Sequence, residues 1–187
     1  VVQTRVDIWL DPWSQYEGKG YQPAQAMFAF ANGGTAGTGL GLGNPSKIPA
    51  ASTDYVFAAI GEEMGLIGAT AVIIAFLLLL GAGLRVAVRA DRPFEKLLAT
   101  GLTTIISMQA FIIIGGVLRS VPLTGITLPF VSYGGSSLLA NYILLALLLR
   151  ISDSGARRRG ETPDELTISE RMEARRLRRA ERKAARA

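Results

Sequence analysis

The chain has 187 residues, 49% of them hydrophobic, with 20 basic and 15 acidic side chains, a formal net charge of +5, and neither cysteine nor histidine. Disulfide frameworks and thiol chemistry are excluded, as are the commonest general base and the commonest zinc or copper ligand. The charges are unevenly spread: 64–84, 97–118 and 120–149 carry none, with Arg119 alone at the seam. Runs of that length match what a helix needs to cross a bilayer core. The reading is an all-α integral membrane protein with three spans, and a soluble enzyme is excluded. The chain opens Val1-Val2-Gln3, without Met or a signal-peptide pattern, so a fragment lacking an earlier part is expected.

Residues 1–63 form an outward loop region with short helices. Asp7, Asp11 and Glu17 lie among Trp9, Pro12, Trp13 and Tyr16, as in an interfacial aromatic belt with solvated acids. Residues 23–31 suit a short apolar helix with Pro23 in its first turn. The run Asn32-Gly33-Gly34-Thr35-Ala36-Gly37-Thr38-Gly39-Leu40-Gly41-Leu42-Gly43 lacks the Lys-Ser/Thr ending of a P-loop. It suits a tight turn presenting backbone N–H groups to an anion. Ser52-Thr53-Asp54 can cap a helix through 55–61. Asp54 is either that cap or an acid placed to handle a lipid-linked substrate. Glu62 and Glu63 stand at the membrane boundary, as ion pairs or as part of a site.

The transmembrane region is 64–151. Its first helix begins near Glu62 and includes 66–84, with Gly61, Gly65 and Gly68 as a close-packing face. The second covers 97–118, and Gln109 within it must face other helices, because an unpaired amide in lipid is costly. Pro122, Gly125, Pro129 and Gly134-Gly135 punctuate the next stretch. Residues 120–135 are read as an outward or re-entrant loop, followed by a helix over 136–151. Irregular backbone at membrane depth must be buried or line a wet cavity, so 124–137 is either a cavity wall or a plain connection.

Basic residues number three in 1–63, four in 85–96, one (Arg119) before the 120–135 loop, and twelve from Arg150 onward. Short cytoplasmic loops collect Lys and Arg, which places 85–96 and the tail inside and 1–63 outside. The tail, 152–187, holds a capping-box pattern at Thr167-x-x-Glu170 and an Arg-rich run over 171–186. Anionic lipid headgroups suit it. Nucleic acid does not, because no aromatic stacking residue accompanies the arginines.

Several blocks carry a family resemblance. They are Arg5…Asp11-Pro12-Trp13…Gly18-x-Gly20-Tyr21-Gln22, Gly33-Gly34…Gly37-x-Gly39-Leu40-Gly41, and Thr53-Asp54-Tyr55-Val56-Phe57-Ala58…Gly61-Glu62-Glu63-Met64-Gly65. Gln109-Ala110-Phe111 and the block from Pro122 to Ser137 follow in the same order. Over residues 3–152 the chain resembles the SEDS family (RodA, FtsW and SpoVE), with the strongest likeness to its actinobacterial RodA-like members. The resemblance implies the last three helices of a roughly ten-helix membrane bundle, preceded by its large extracytoplasmic loop. It also implies a glycosyltransferase that polymerises lipid II for the cell wall, releases undecaprenyl diphosphate, and works with a class B penicillin-binding protein.

The family's catalytic carboxylate falls on Asp54, with Asp11 and Glu17 as fallback candidates. Many members carry an Asp where this chain has Gln15, which cannot act as a base. The outward cations Arg5, Lys19, Lys47 and Arg119 are candidates for holding a leaving diphosphate. The resemblance sets Thr124, Tyr133, Gly134 and Ser136 near the substrate cavity, and Glu62 and Glu63 stay as structural or site carboxylates. A divalent cation, Mg or Mn, is a possible cofactor at Asp54. The rival readings are a lipid II flippase and a non-catalytic scaffold that activates a partner synthase.

Overall fold

A computed structural model describes residues 2–44 and 47–160. Every regular element among them is helical: α1 (Val2–Leu10), a 3-10 turn (Trp13–Gln15), α2 (Tyr21–Gly33), α3 (Val56–Arg89), α4 (Pro93–Val117) and α5 (Gly135–Arg158). Of these, α3, α4 and α5 are long and apolar enough to cross a membrane. Pro93 sits at the start of α4, where its missing N–H costs nothing. The chain divides into two units, 1–151 and 152–187. In the second, Arg157 Nε meets Asp153 at 3.0 Å in an exposed i,i+4 pair, a contact of small energetic weight. The capping-box pattern and the Arg-rich run of the tail lie outside the described residues.

The 34 residues of α3 would reach about 51 Å as one straight helix, well beyond a ~30 Å hydrocarbon core. They are not one straight helix. Gly65 adopts φ 64, ψ −162 and breaks the element, a conformation open to glycine and strained for other residues. The helix starts at Val56, upstream of the start near Glu62 expected from hydropathy, and its membrane-length part lies beyond the break.

The break removes two i→i+4 bonds, which would have joined the carbonyls of Glu62 and Glu63 to the amides of Leu66 and Ile67. The glycine-rich loop satisfies all four groups. Thr38 N donates to Glu62 O and Gly39 N to Glu63 O, both at 3.0 Å; Leu66 N donates to Gly34 O at 3.0 Å and Ile67 N to Thr35 O at 3.3 Å. Thr38 Oγ1 adds a second bond to Glu62 O at 3.1 Å. Backbone groups buried at a helix break need such replacement partners. Gly37 makes the approach possible: a Cβ there would lie 2.1 Å from Glu63 O.

Small residues also set the helix packing. A Cβ on Gly83 would meet Thr103 Oγ1 at 2.3 Å, so α4 closes tightly on α3. Ala26 and Ala29 of α2 bury against Phe57 and Ala58 of α3, with Phe30 and Phe57 at 5.9 Å between ring centroids. Ala87, Ala99, Leu102 and Leu148 join α3, α4 and α5 in a second cluster. Ile67, Leu77, Leu78, Phe111 and Leu139 are exposed on the spans, as apolar faces meant for lipid or for further helices.

The segment after α4 is folded inward. Leu128 is 1% exposed. Ser132 Oγ accepts from Leu128 N at 2.8 Å and donates to Thr53 O, and Tyr133 N donates to Ser52 O at 2.8 Å. Gln109 Nε2 donates to Thr127 O at 2.8 Å, giving the mid-span amide a structural partner. These bonds tie the stretch beside Asp54 to the 120–134 segment.

Candidate functional site

A cavity of about 590 Å³ opens where α1, the approach to α2, the start of α3 and the end of α4 converge. Its charged lining consists of Arg5, Lys19, Asp54 and Arg119, with Trp9, Tyr55 and Gly125 between them. One carboxylate facing three cations gives an electropositive pocket, suited to an anionic ligand.

Asp54 does not cap α3. The turn before the helix is closed by Thr53, Asp54 and Tyr55 amides donating to Ala50 O, with Ala50 at φ 59. The N-cap position falls on Tyr55, and no side chain caps it. The capping role expected of Ser52-Thr53-Asp54 is therefore not observed, and the half-buried Asp54 carboxylate faces the cavity without a hydrogen bond to any described residue.

Arg5 Nη1 donates to Leu123 O at 2.9 Å. A Cβ built on Gly125 would lie 3.5 Å from Asp54 Oδ2 and 3.7 Å from both terminal nitrogens of Arg5. The two charged groups thus flank one small space without forming an ion pair. Gly125 (φ +71) keeps that space open. A carboxylate opposite a guanidinium across such a gap can take a proton from a hydroxyl while an anion is held beside it.

Arg119 also lines the cavity, but its side chain is engaged. Nη2 donates to Trp9 O at 2.6 Å and to Leu10 O at 3.3 Å, while Trp9 Nε1 returns a bond to Arg119 O at 2.8 Å. A cation on the last carbonyls of a helix is favourable, so Arg119 latches the end of α1 to the end of α4. Burial raises the Tyr55 phenol well above its usual range; the Asp54 charge acts in the same direction and Arg5 opposes both.

The other sequence candidates lie elsewhere. Asp11 accepts from Trp13 N at 3.0 Å and Ser14 N at 3.4 Å, capping the 3-10 turn. Glu17 borders a separate hollow formed by residues 13–18. Lys47, Thr124, Tyr133, Gly134 and Ser136 are absent from the cavity lining, and Tyr133 is 77% exposed. Glu62 is buried beneath Gly43 beside the helix break, and neither it nor Glu63 reaches the cavity. The glycine-rich loop spends its Thr38 and Gly39 amides on α3 rather than on an anion. Among the described residues no three carboxylates cluster, and a lone carboxylate amid three cations is a poor donor set for Mg or Mn. Sequence reading missed Tyr55 and Trp9 as lining residues; Tyr55's place directly after Asp54 was the available signal.

The match to the FtsW/RodA/SpoVE cell cycle protein model runs over residues 2–157. The chain belongs to this family. The peptidoglycan glycosyltransferase RodA of Mycobacterium tuberculosis (strain ATCC 25618 / H37Rv) is 55% identical over 157 residues, 84% of this chain and 33% of that protein. The stage V sporulation protein E of Bacillus subtilis (strain 168) is 39% identical, covering 79% of this chain and 41% of that protein. A solved chain, described as showing structural coordination of polymerization and crosslinking by a peptidoglycan synthase complex, superposes with TM-score 0.68. It is 30% identical, over 81% of this chain and 41% of its own. The chain therefore spans about a third of the length of its RodA relatives.

Proposed function

We propose that this chain is the C-terminal part of a ten-helix peptidoglycan glycosyltransferase that polymerises lipid II at the outer face of the cytoplasmic membrane. The observation that carries the reading is Asp54 facing Arg5 across the space left by Gly125. In the reaction an acceptor sugar hydroxyl attacks the anomeric carbon of a second lipid II. A carbon–oxygen bond forms, the bond to the diphosphate breaks, and undecaprenyl diphosphate leaves with the electron pair. Asp54 takes the hydroxyl proton, and Arg5 and Lys19 hold the departing diphosphate. The polyprenyl chain stays in the bilayer beside the apolar faces of the spans.

The distribution of basic residues supports the orientation: residues 1–63 outside, the 85–96 connection and the tail inside. A class B penicillin-binding protein is the proposed partner, in line with the crosslinking named for the solved relative. The broken α3 is the feature that favours a flippase, since transporters use discontinuous helices. Here the break is filled by loop backbone, which favours the enzyme. The complete natural protein, purified into vesicles with lipid II, is expected to make glycan strands. Translocation of lipid II without strand formation would select the flippase; neither activity, with stimulation of a partner synthase, would select the scaffold.

A further inference from the structure

Several hydrogen-bond donors around the cavity are already used. Arg119 Nη2 is held by the carbonyls of Trp9 and Leu10, the Trp9 indole by Arg119 O, and Arg5 Nη1 by Leu123 O. Tyr55 differs. Its residue is 3% exposed and its ring packs in the core with Ala26, Ile48, Phe57 and Ala58, yet it lines the cavity. Its hydroxyl makes no hydrogen bond with any described residue. The hydroxyl is not sealed away from the cavity, so its donor is free for whatever fills it.

We infer that Tyr55 is a second catalytic residue, whose phenol donates a hydrogen bond to a diphosphate oxygen of the lipid-linked substrate. This rests on the proposed function above. Three features assign the phenol to the diphosphate rather than to the acceptor hydroxyl. Asp54 is an acceptor only and takes the hydroxyl end. Arg5, whose charge acts on the phenol, draws the anionic end to the same side. Burial and the Asp54 charge keep the phenol protonated, so it remains a donor across the working pH range. The bond strengthens as negative charge collects on the leaving oxygens.

The test uses the complete natural protein in vesicles with lipid II. Tyr55→Phe keeps the ring and its packing and loses only the donor. Hydrogen bonds to charged groups are worth enough that polymerisation should fall roughly 10- to 100-fold at an unchanged membrane level. Inhibition by added undecaprenyl diphosphate should weaken by a similar factor, which a purely structural role would not produce. A wild-type rate in Tyr55→Phe overturns the inference. Should Tyr55→Phe lower the membrane level, a fluorinated tyrosine at position 55 keeps the shape and acidifies the phenol. Activity should then be lost at lower pH than in the wild type, and an unmoved profile overturns the inference. Asp54→Asn assayed alongside separates the two proposals. Inactive Asp54→Asn with unaffected Tyr55→Phe rejects the Tyr55 role alone, whereas fully active Asp54→Asn rejects the proposed function.

Discussion

Replacing Gly125 with alanine puts one methyl group into the space between Asp54 and Arg5. The built Cβ would sit 3.5 Å from Asp54 Oδ2 and 3.7 Å from the Arg5 nitrogens, in ordinary contact, so no neighbour must move. The backbone cost is that of an L-residue at φ +71, about 1–2 kcal/mol. The functional cost is larger. A reacting oxygen displaced by about 1 Å loses on the order of 100-fold in rate, or roughly 2.7 kcal/mol of transition-state stabilisation. Gly41 supplies the control, because it has φ +74 and nothing within 4 Å of its built Cβ. Gly41→Ala should therefore show similar strain without the catalytic loss. The assay is lipid II polymerisation by the complete natural protein in vesicles, with membrane level and melting temperature measured in parallel. Gly125→Ala polymerising at the Gly41→Ala rate would refute the placement of the reacting atoms between Asp54 and Arg5.

Gly37→Ala should be among the most destabilising single methyl additions, since its Cβ would lie 2.1 Å from Glu63 O at φ +84; a fall in melting temperature and in membrane level would show it, and wild-type stability would contradict the loop's role in completing α3. Arg119→Ala should free the end of α1 and cost about 1.5–3 kcal/mol for the lost charge-assisted bonds, read as faster amide exchange over Val2–Leu10. Arg119→Lys should restore part of the loss, because both carbonyl bonds come from one nitrogen and an ammonium can donate to both, while the bond from Nη1 to Met27 Sδ is not replaced. The described chain lacks cysteine, so single cysteines at Gln15 and Arg92 report topology cleanly: an impermeant thiol reagent should label the first from outside and the second only after permeabilisation. Labelling of Arg92→Cys from outside would overturn the orientation.

The three spans were legible because charge-free runs of that length have one common explanation: α3 and α4 lie over the first two, and α5 takes the second half of the third. The helix expected through 55–61 is present, but its continuity with the first span was not legible. Glu62 and Glu63 mark a boundary on any hydropathy reading, whereas in the fold they lie inside the helix, with Glu62 buried beside the break. Gly61, Gly65 and Gly68 were readable as a close-packing face, but only the fold shows that Gly33 and Gly37, not another span, make the contact with Gly61 and Gly65. Helix α1 went unread because its residues alternate too irregularly between apolar and charged. Asp54 stood out from its motif, while its cavity neighbours arrive from α1, the turn before α2 and the end of α4. Such long-range meetings leave no local pattern. Arg119 was readable as an outward cation, and nothing in the sequence showed that the carbonyls of Trp9 and Leu10 would claim it.

The central claim rests on the Asp54 carboxylate, and lipid II polymerisation by Asp54→Asn in the complete natural protein tests it most directly. The substitution keeps size and removes the charge, and it costs α3 nothing in capping, since no side chain caps that helix. Proton acceptance by a positioned carboxylate is worth about 10²–10⁴-fold. The account predicts a loss of that order at an unchanged membrane level and melting temperature, with partial activity at best in Asp54→Glu. Wild-type polymerisation by Asp54→Asn would contradict it.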